Sequence, residues 1–150
     1  MFPRGERGVV RAALIGAGTI ARLALEHARS GGLDGVELVA VLARPGSDRA
    51  IKLAADFGIP VCHTLEALLA HKPDVVVEAA AHVAVRDHAA AILRAGVSLI
   101  VLSGGALADD ALRGELERAA KSSGATLNVP SGGIGGLDVL KLSLIHISEP

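Results

Sequence analysis

The sequence predicts an α/β protein built on a doubly wound parallel sheet. Three observations carry that expectation. Short apolar runs alternate along the chain with segments of helical spacing, and strands alternating with helices imply right-handed crossovers and a parallel sheet. The first apolar run ends directly in Gly16-Ala17-Gly18-Thr19-Ile20-Ala21. The apolar content is also high and aliphatic: 51% of residues are hydrophobic, yet Phe2 and Phe57 are the only residues of the Phe, Tyr, Trp class. Ala, Val and Leu in short runs suit strands that are buried on both faces beneath helices.

The elements follow in order. Val9–Ile15 is a strand leading into the glycines, and Thr19–Ser30 is a helix with apolar spacing at Ile20, Leu23, Ala24 and Ala28. Gly31-Gly32-Leu33-Asp34-Gly35 stops that helix and turns the chain. Val36–Leu42 is the second strand, closed by Arg44-Pro45-Gly46, and Ser47 or Asp48 caps a helix that runs to Phe57 and stops at Gly58. A short third strand is expected at Ile59–Cys62, a small helix at Thr64–His71, a fourth strand at Val75–Glu78 and a helix at Val83–Ala95. Ser98–Leu102 is the fifth strand, Asp109–Ser123 a helix capped by Asp109, and Thr126–Val129 the sixth strand.

The 150 residues fit one domain with a sizeable core. The formal net charge of −1 implies no basic surface for a polyanion, and the scarcity of aromatic rings removes the stacking platforms that single-stranded nucleic acid requires. No nucleic-acid partner is expected. Cys62 is the only cysteine, which rules out an intrachain disulfide and a cysteine metal cluster. The apolar run after Arg4, Arg7 and Arg11 is short and ends in glycines, so it reads as a core strand and not as a signal peptide. No run approaches the ~20 apolar residues of a membrane span. A soluble protein in a reducing, cytoplasmic setting is the expectation.

The glycine turn carries the chemistry. A lone G-x-G-x-x-G is a weak signal, and its third position here is Ala21. Its position, immediately after a buried strand and opening a helix, is what a dinucleotide site requires. Gly16 permits the sharp turn, Gly18 lets backbone approach a pyrophosphate, and Ala21 keeps helix and strand close. The free N–H groups of Gly16, Ala17, Gly18, Thr19 and Ile20 then face the phosphates at the positive end of the helix. A bare strand-to-helix turn that binds nothing is the competing structural reading.

An Asp or Glu ~20 residues further on would bind the ribose hydroxyls of NAD. Ala43-Arg44-Pro45 stands there instead. Arg44, with Arg49, suits the 2′-phosphate of NADP; stacking of Arg44 on adenine, or exposure to solvent, is the alternative. The cofactor expected is NAD or NADP.

Four further segments form a linked set: Glu78-Ala79-Ala80, Val85-Arg86-Asp87-His88, Val101 through Asp109, and Val129-Pro130-Ser131-Gly132-Gly133-Ile134-Gly135-Gly136-Leu137-Asp138. Together with the glycine turn they resemble the L-aspartate dehydrogenase family over roughly residues 11–140. The resemblance implies oxidative deamination of L-aspartate to oxaloacetate through iminoaspartate with NAD or NADP, a reaction linked to NAD biosynthesis. It places an alanine matching Ala106 against the cofactor, with Ala80, Ser103 and Gly104 near the nicotinamide. Small residues there let the ring lie against backbone. It also implies a small-molecule substrate and a homo-oligomer for the full-length enzyme. His82, where a small or amide residue is expected, and Gly104, where valine is frequent, depart from the pattern.

Outside that set, the bland readings prevail. Position alone does not make His82 or His88 an acid or base, and the six histidines lack metal-ligand spacing. Glu78 reads as a buried strand-end carboxylate that fixes a loop. Arg113, Glu115, Glu117 and Arg118 read as a solvated helix face.

Residues 1–140 are therefore expected to form the dinucleotide-binding domain, a Rossmann-like NAD(P)-binding fold. Residues 141–150, Lys-Leu-Ser-Leu-Ile-His-Ile-Ser-Glu-Pro, break with the Ala/Gly/Arg bias before them. They resemble translated sequencing-adapter read-through; a natural strand opening a second domain is the alternative. The resemblance puts the catalytic histidine and the substrate pocket beyond residue 150, so no catalytic residue is expected in this chain, whose substrate domain is largely absent. The cofactor domain of a homoserine dehydrogenase or dihydrodipicolinate reductase relative, and a non-catalytic NAD(P)-binding module, are the competing functional readings.

Overall fold

A computed structural model describes residues 8–130. The expected tail at 141–150, and the part of the Pro130–Gly136 segment beyond Pro130, lie outside the described residues.

The strands are β1 (Val10–Ile15), β2 (Val36–Leu42), β3 (Val61–Cys62), β4 (Val75–Glu78), β5 (Ser98–Val101) and β6 (Leu127–Asn128). The helices are α1 (Thr19–Arg29), α2 (Asp48–Phe57), α3 (Leu65–Ala70), α4 (His82–Arg94) and α5 (Asp110–Ser123), with a 3-10 helix at Gly104–Ala108 before α5. The six strands form one sheet in the order β3-β2-β1-β4-β5-β6, and every neighbouring pair is parallel. This is the doubly wound arrangement, with the strand order reversing between β1 and β4.

Two apolar clusters hold the layers. One joins the sheet to α3, α4 and α5 through Val76, Leu99, Val101, Leu68, Ile92, Leu93 and Leu116. The other joins α1 and α2 to Leu14 and Val41 through Ala21, Leu25 and Leu53. Ala21 is fully buried, so the small third position of the glycine motif does bring α1 against the strands.

Caps set the helix ends. The Ser47 side chain accepts from the Ala50 N–H, that of Thr64 from Ala67, and that of Asp109 from Ala111 and Leu112. α1 and α4 have no side-chain cap at Gly18 and Ala81. Their exposed N–H groups lie at the carboxyl edge of the sheet, where a ligand can take them up. β1 and β5 each fall one residue short of expectation, without Val9 and Leu102, and two strands are half the expected length. β3 begins at Val61 because Pro60 has no N–H to give to a ladder. β6 reduces to Leu127–Asn128 at the sheet edge.

Candidate functional site

Open α/β sheets bind ligands in the crevice outside the carboxyl ends of the strands, at the point where strand order reverses. Here that point lies between β1 and β4 and opens into a cleft of about 570 Å³. Its floor is the Gly16–Gly18 turn, one wall comes from Leu42–Pro45 with Ser47, Arg49 and His63, and the other from Ala79–Ala81 with the first turns of α4.

The two glycines of the turn have different reasons to be glycine. Gly16 has φ +106, and a Cβ there would lie 2.8 Å from the Ala79 carbonyl oxygen and 3.0 Å from the Ala80 Cβ. The fold itself demands glycine at that position. Gly18 has φ −85 and ψ −166, a backbone any residue adopts, and a Cβ there would meet nothing within 4 Å. The chain has no need for glycine at 18. A ligand whose phosphates approach the N-terminus of α1 does need it, since a side chain would occupy the space where backbone meets pyrophosphate.

On the β2 side, Arg44, Ser47, Arg49 and His63 line the cleft. His63 follows β3, and its Nδ1 lies 3.0 Å from the Ala43 carbonyl oxygen, which fixes the imidazole against the end of β2. No carboxylate stands at the end of β2; the acid lining the cleft is Asp87, across it on α4.

On the β4 side the organising group is Glu78, only 1% exposed. The Ala80 N–H donates to its Oε1 at 2.7 Å, the Ser103 hydroxyl to the same oxygen at 2.9 Å, and the Ser103 N–H to Oε2 at 3.0 Å. One carboxylate thus joins the loop after β4 to the turn after β5.

Gly16, Ala17, Gly18, Arg44 and Ala80 line the cleft. Thr19 and Ile20 form the first turn of α1 and do not line the cleft; Ile20 is exposed. Ser103, Gly104 and Ala106 belong to the neighbouring turn and do not line the cleft. Ser103 is tied to Glu78, Gly104 faces the Val129 side chain, and Ala106 is buried in the core. The sequence alone did not single out His63 as a cleft residue. Its signal was its place directly after a strand's carboxyl end, the same rule that locates the glycine turn. His82 opens α4 and its ring lies under Gly105, where a Cβ would come within 2.9 Å of it. Among the described residues, no group of three or more His, Cys, Asp or Glu side chains is placed to hold a metal ion, and no helix is long and apolar enough to cross a membrane.

Comparison with known proteins agrees with this geometry. The chain is 42% identical over 139 residues to an L-aspartate dehydrogenase of Ruegeria pomeroyi, a match covering 93% of this chain and 47% of that protein. The crystal structure of aspartate dehydrogenase from Thermotoga maritima superposes with a TM-score of 0.66 at 29% identity, covering 87% of this chain and 49% of that one. Biliverdin reductase from Synechocystis, solved with biliverdin and NADP+, superposes with a TM-score of 0.68 at 27% identity over 80% of this chain and 37% of that one. The chain thus spans about half the length of the relatives it matches. Residues 16–130, from the first glycine of the turn to the end of the described fold, match the family described as "Homoserine dehydrogenase, NAD binding domain". The parallel sheet, the switch-point cleft and that match together place the chain in this family of NAD-binding domains.

Proposed function

We propose that the chain is the cofactor-binding part of an NAD(P)-dependent L-aspartate dehydrogenase, which oxidatively deaminates L-aspartate. The observation that carries the cofactor reading is Gly18, a glycine that the fold does not require at the one place where a pyrophosphate does. The Gly16–Ile20 turn would hold the pyrophosphate, Arg44 the adenosine ribose, and Ala80 the nicotinamide side, with Ser103 behind it on Glu78. Bound there, the cofactor supplies a hydride acceptor, and the protein's share is to orient it and to exclude competing reactions.

The substrate reading rests on relatives named as L-aspartate dehydrogenases and on the segments around Ser103 and Val129. The matched family carries the homoserine dehydrogenase name, but it describes the nucleotide domain, and a shared domain does not fix the substrate. Recognition of aspartate's two carboxylates and the acid–base histidine belong to a second half of the enzyme. Both halves are needed to bring hydride donor and acceptor into reacting geometry. Homo-oligomer formation belongs to that longer enzyme as well. The absence of an acid after β2, with Arg44 and Arg49 in the cleft, favours NADP over NAD. A cytoplasmic location agrees with the single, buried Cys62.

The test has two arms. Titrating NADH and NADPH into the chain should show saturable binding, while adding L-aspartate with NAD+ or NADP+ should give no reduction. In a longer protein carrying this domain, L-aspartate should drive reduction of the cofactor and L-homoserine should not. Turnover of homoserine in its place would move the enzyme to the other branch of the family.

A further inference from the structure

The geometry points to Glu78 as a positioning residue for the nicotinamide half of the cofactor, acting through the two turns it joins. This inference rests on the dinucleotide reading of the cleft.

The adenosine half is placed by the first βα turn and by Arg44 after β2, so it lies over β1, β2 and β3. The remaining half of the cofactor must cross the switch point and lie over the ends of β4 and β5. Glu78 is the last residue of β4 and is paired with Ile15 at the end of β1 and Val101 at the end of β5. Its carboxylate therefore sits at the middle of the sheet's carboxyl edge, beneath the place where the nicotinamide must come.

Buried carboxylates need partners. Among the described residues no cation supplies one: the hydrogen bonds to this carboxylate come from neutral donors, two backbone N–H groups and one hydroxyl. Those donors belong to two separate turns, Ala79–Ala81 and Ser103–Ala106. The first of these is also the surface against which Gly16 is pressed. A carboxylate is the fitting group for this job, because both oxygens only accept and can serve three donors at once. An amide of the same shape cannot do so. With its oxygen on the Ala80 side, its NH2 opposes the Ser103 N–H; turned over, it opposes the Ala80 N–H. Glu78→Gln therefore preserves volume while forcing one turn away from the other.

A residue that only stabilised the domain would affect both halves of the cofactor alike. A positioning residue would not. ADP-ribose, which lacks the nicotinamide, separates the two. The experiment measures dissociation constants of NADH and ADP-ribose for the chain and for Glu78→Gln and Ser103→Ala, with circular dichroism to check folding. The expected result for Glu78→Gln is a loss of about tenfold in NADH affinity, the size of one charge-assisted hydrogen bond, with ADP-ribose affinity within about twofold of the parent. Ser103→Ala keeps the carboxylate and both N–H donors, so a loss of about threefold for NADH alone is expected, and it decides the matter if Glu78→Gln does not fold. Equal losses for the two ligands, or no loss for either, overturn the role assigned to Glu78. Failure of the parent chain to bind either ligand overturns the cleft reading beneath it.

Discussion

The two walls of the cleft are built on different principles. The wall after β2 and β3 presents side chains: Arg44, Ser47, Arg49 and His63 line the cleft from a proline-bearing loop, the start of α2 and a strand end. The wall after β4 presents backbone and methyl groups where it meets the glycine turn, at Ala79, Ala80 and Ala81, with Asp87 and His88 further along α4, and the loop is fixed from below by a buried carboxylate. Side chains can be exchanged to suit a ribose substituent without disturbing the sheet. A backbone surface cannot be retuned one residue at a time, because each of its positions is held by another. Under the proposed function, the first wall is where cofactor choice would be set, and the second is where the reacting ring would be placed.

The largest effect should come from the residue on which both walls depend. Gly16→Val would place a branched side chain against the Ala79 carbonyl and the Ala80 Cβ at a positive φ. A stability loss of about 3 kcal/mol or more is expected in denaturant unfolding, with loss of cofactor binding. Next is Glu78→Ala, which removes the acceptor for three donors in a buried place. It should cost about 3 kcal/mol by the same measurement, the penalty of leaving buried donors unmet. A loss under about 0.5 kcal/mol would show that the β4 wall does not depend on its carboxylate.

Arg44→Ala should leave stability unchanged and NADH affinity nearly so. It should weaken NADPH about tenfold, the value of a charge-assisted contact to phosphate, read by competing titrations. Equal weakening of both cofactors would mean that Arg44 stacks on adenine instead. The smallest effect concerns Cys62 at the end of β3. Burial pushes its thiol above the ordinary cysteine range, so it is held in the unreactive protonated form at neutral pH. A disulfide-exchange reagent should label it only slowly in the folded chain and at full rate in denaturant.

The β2 wall was more legible in sequence than the β4 wall, for physical reasons. The glycine turn, Ala21 and the missing acid after β2 are local signals, visible within a few residues of a strand end. The same is true of the capped helices, where Ser47, Thr64 and Asp109 mark the starts. α4 begins one residue earlier than its spacing suggests, at His82, because Ala81 offers no capping side chain to mark the boundary. The 3-10 helix at Gly104–Ala108 has only glycine, alanine and one leucine, too few apolar side chains to show a period. Glu78 could be read as a buried strand-end carboxylate, but its partner Ser103 is 25 residues away, and only the pairing of β4 with β5 brings them together. The seat of Ala106 in the core, outside the cleft wall, is likewise a product of that packing.

Titration of NADH and NADPH into the parent chain and into Gly18→Val tests the central claim most directly, because position 18 separates what the fold needs from what a ligand needs. Valine at this uncapped helix start should cost only about 1 kcal/mol of stability, so the variant stays folded. It should bind either dinucleotide at least about tenfold more weakly than the parent, since the new side chain fills the place of the pyrophosphate. A folded Gly18→Val chain that binds both cofactors as the parent does would contradict the account.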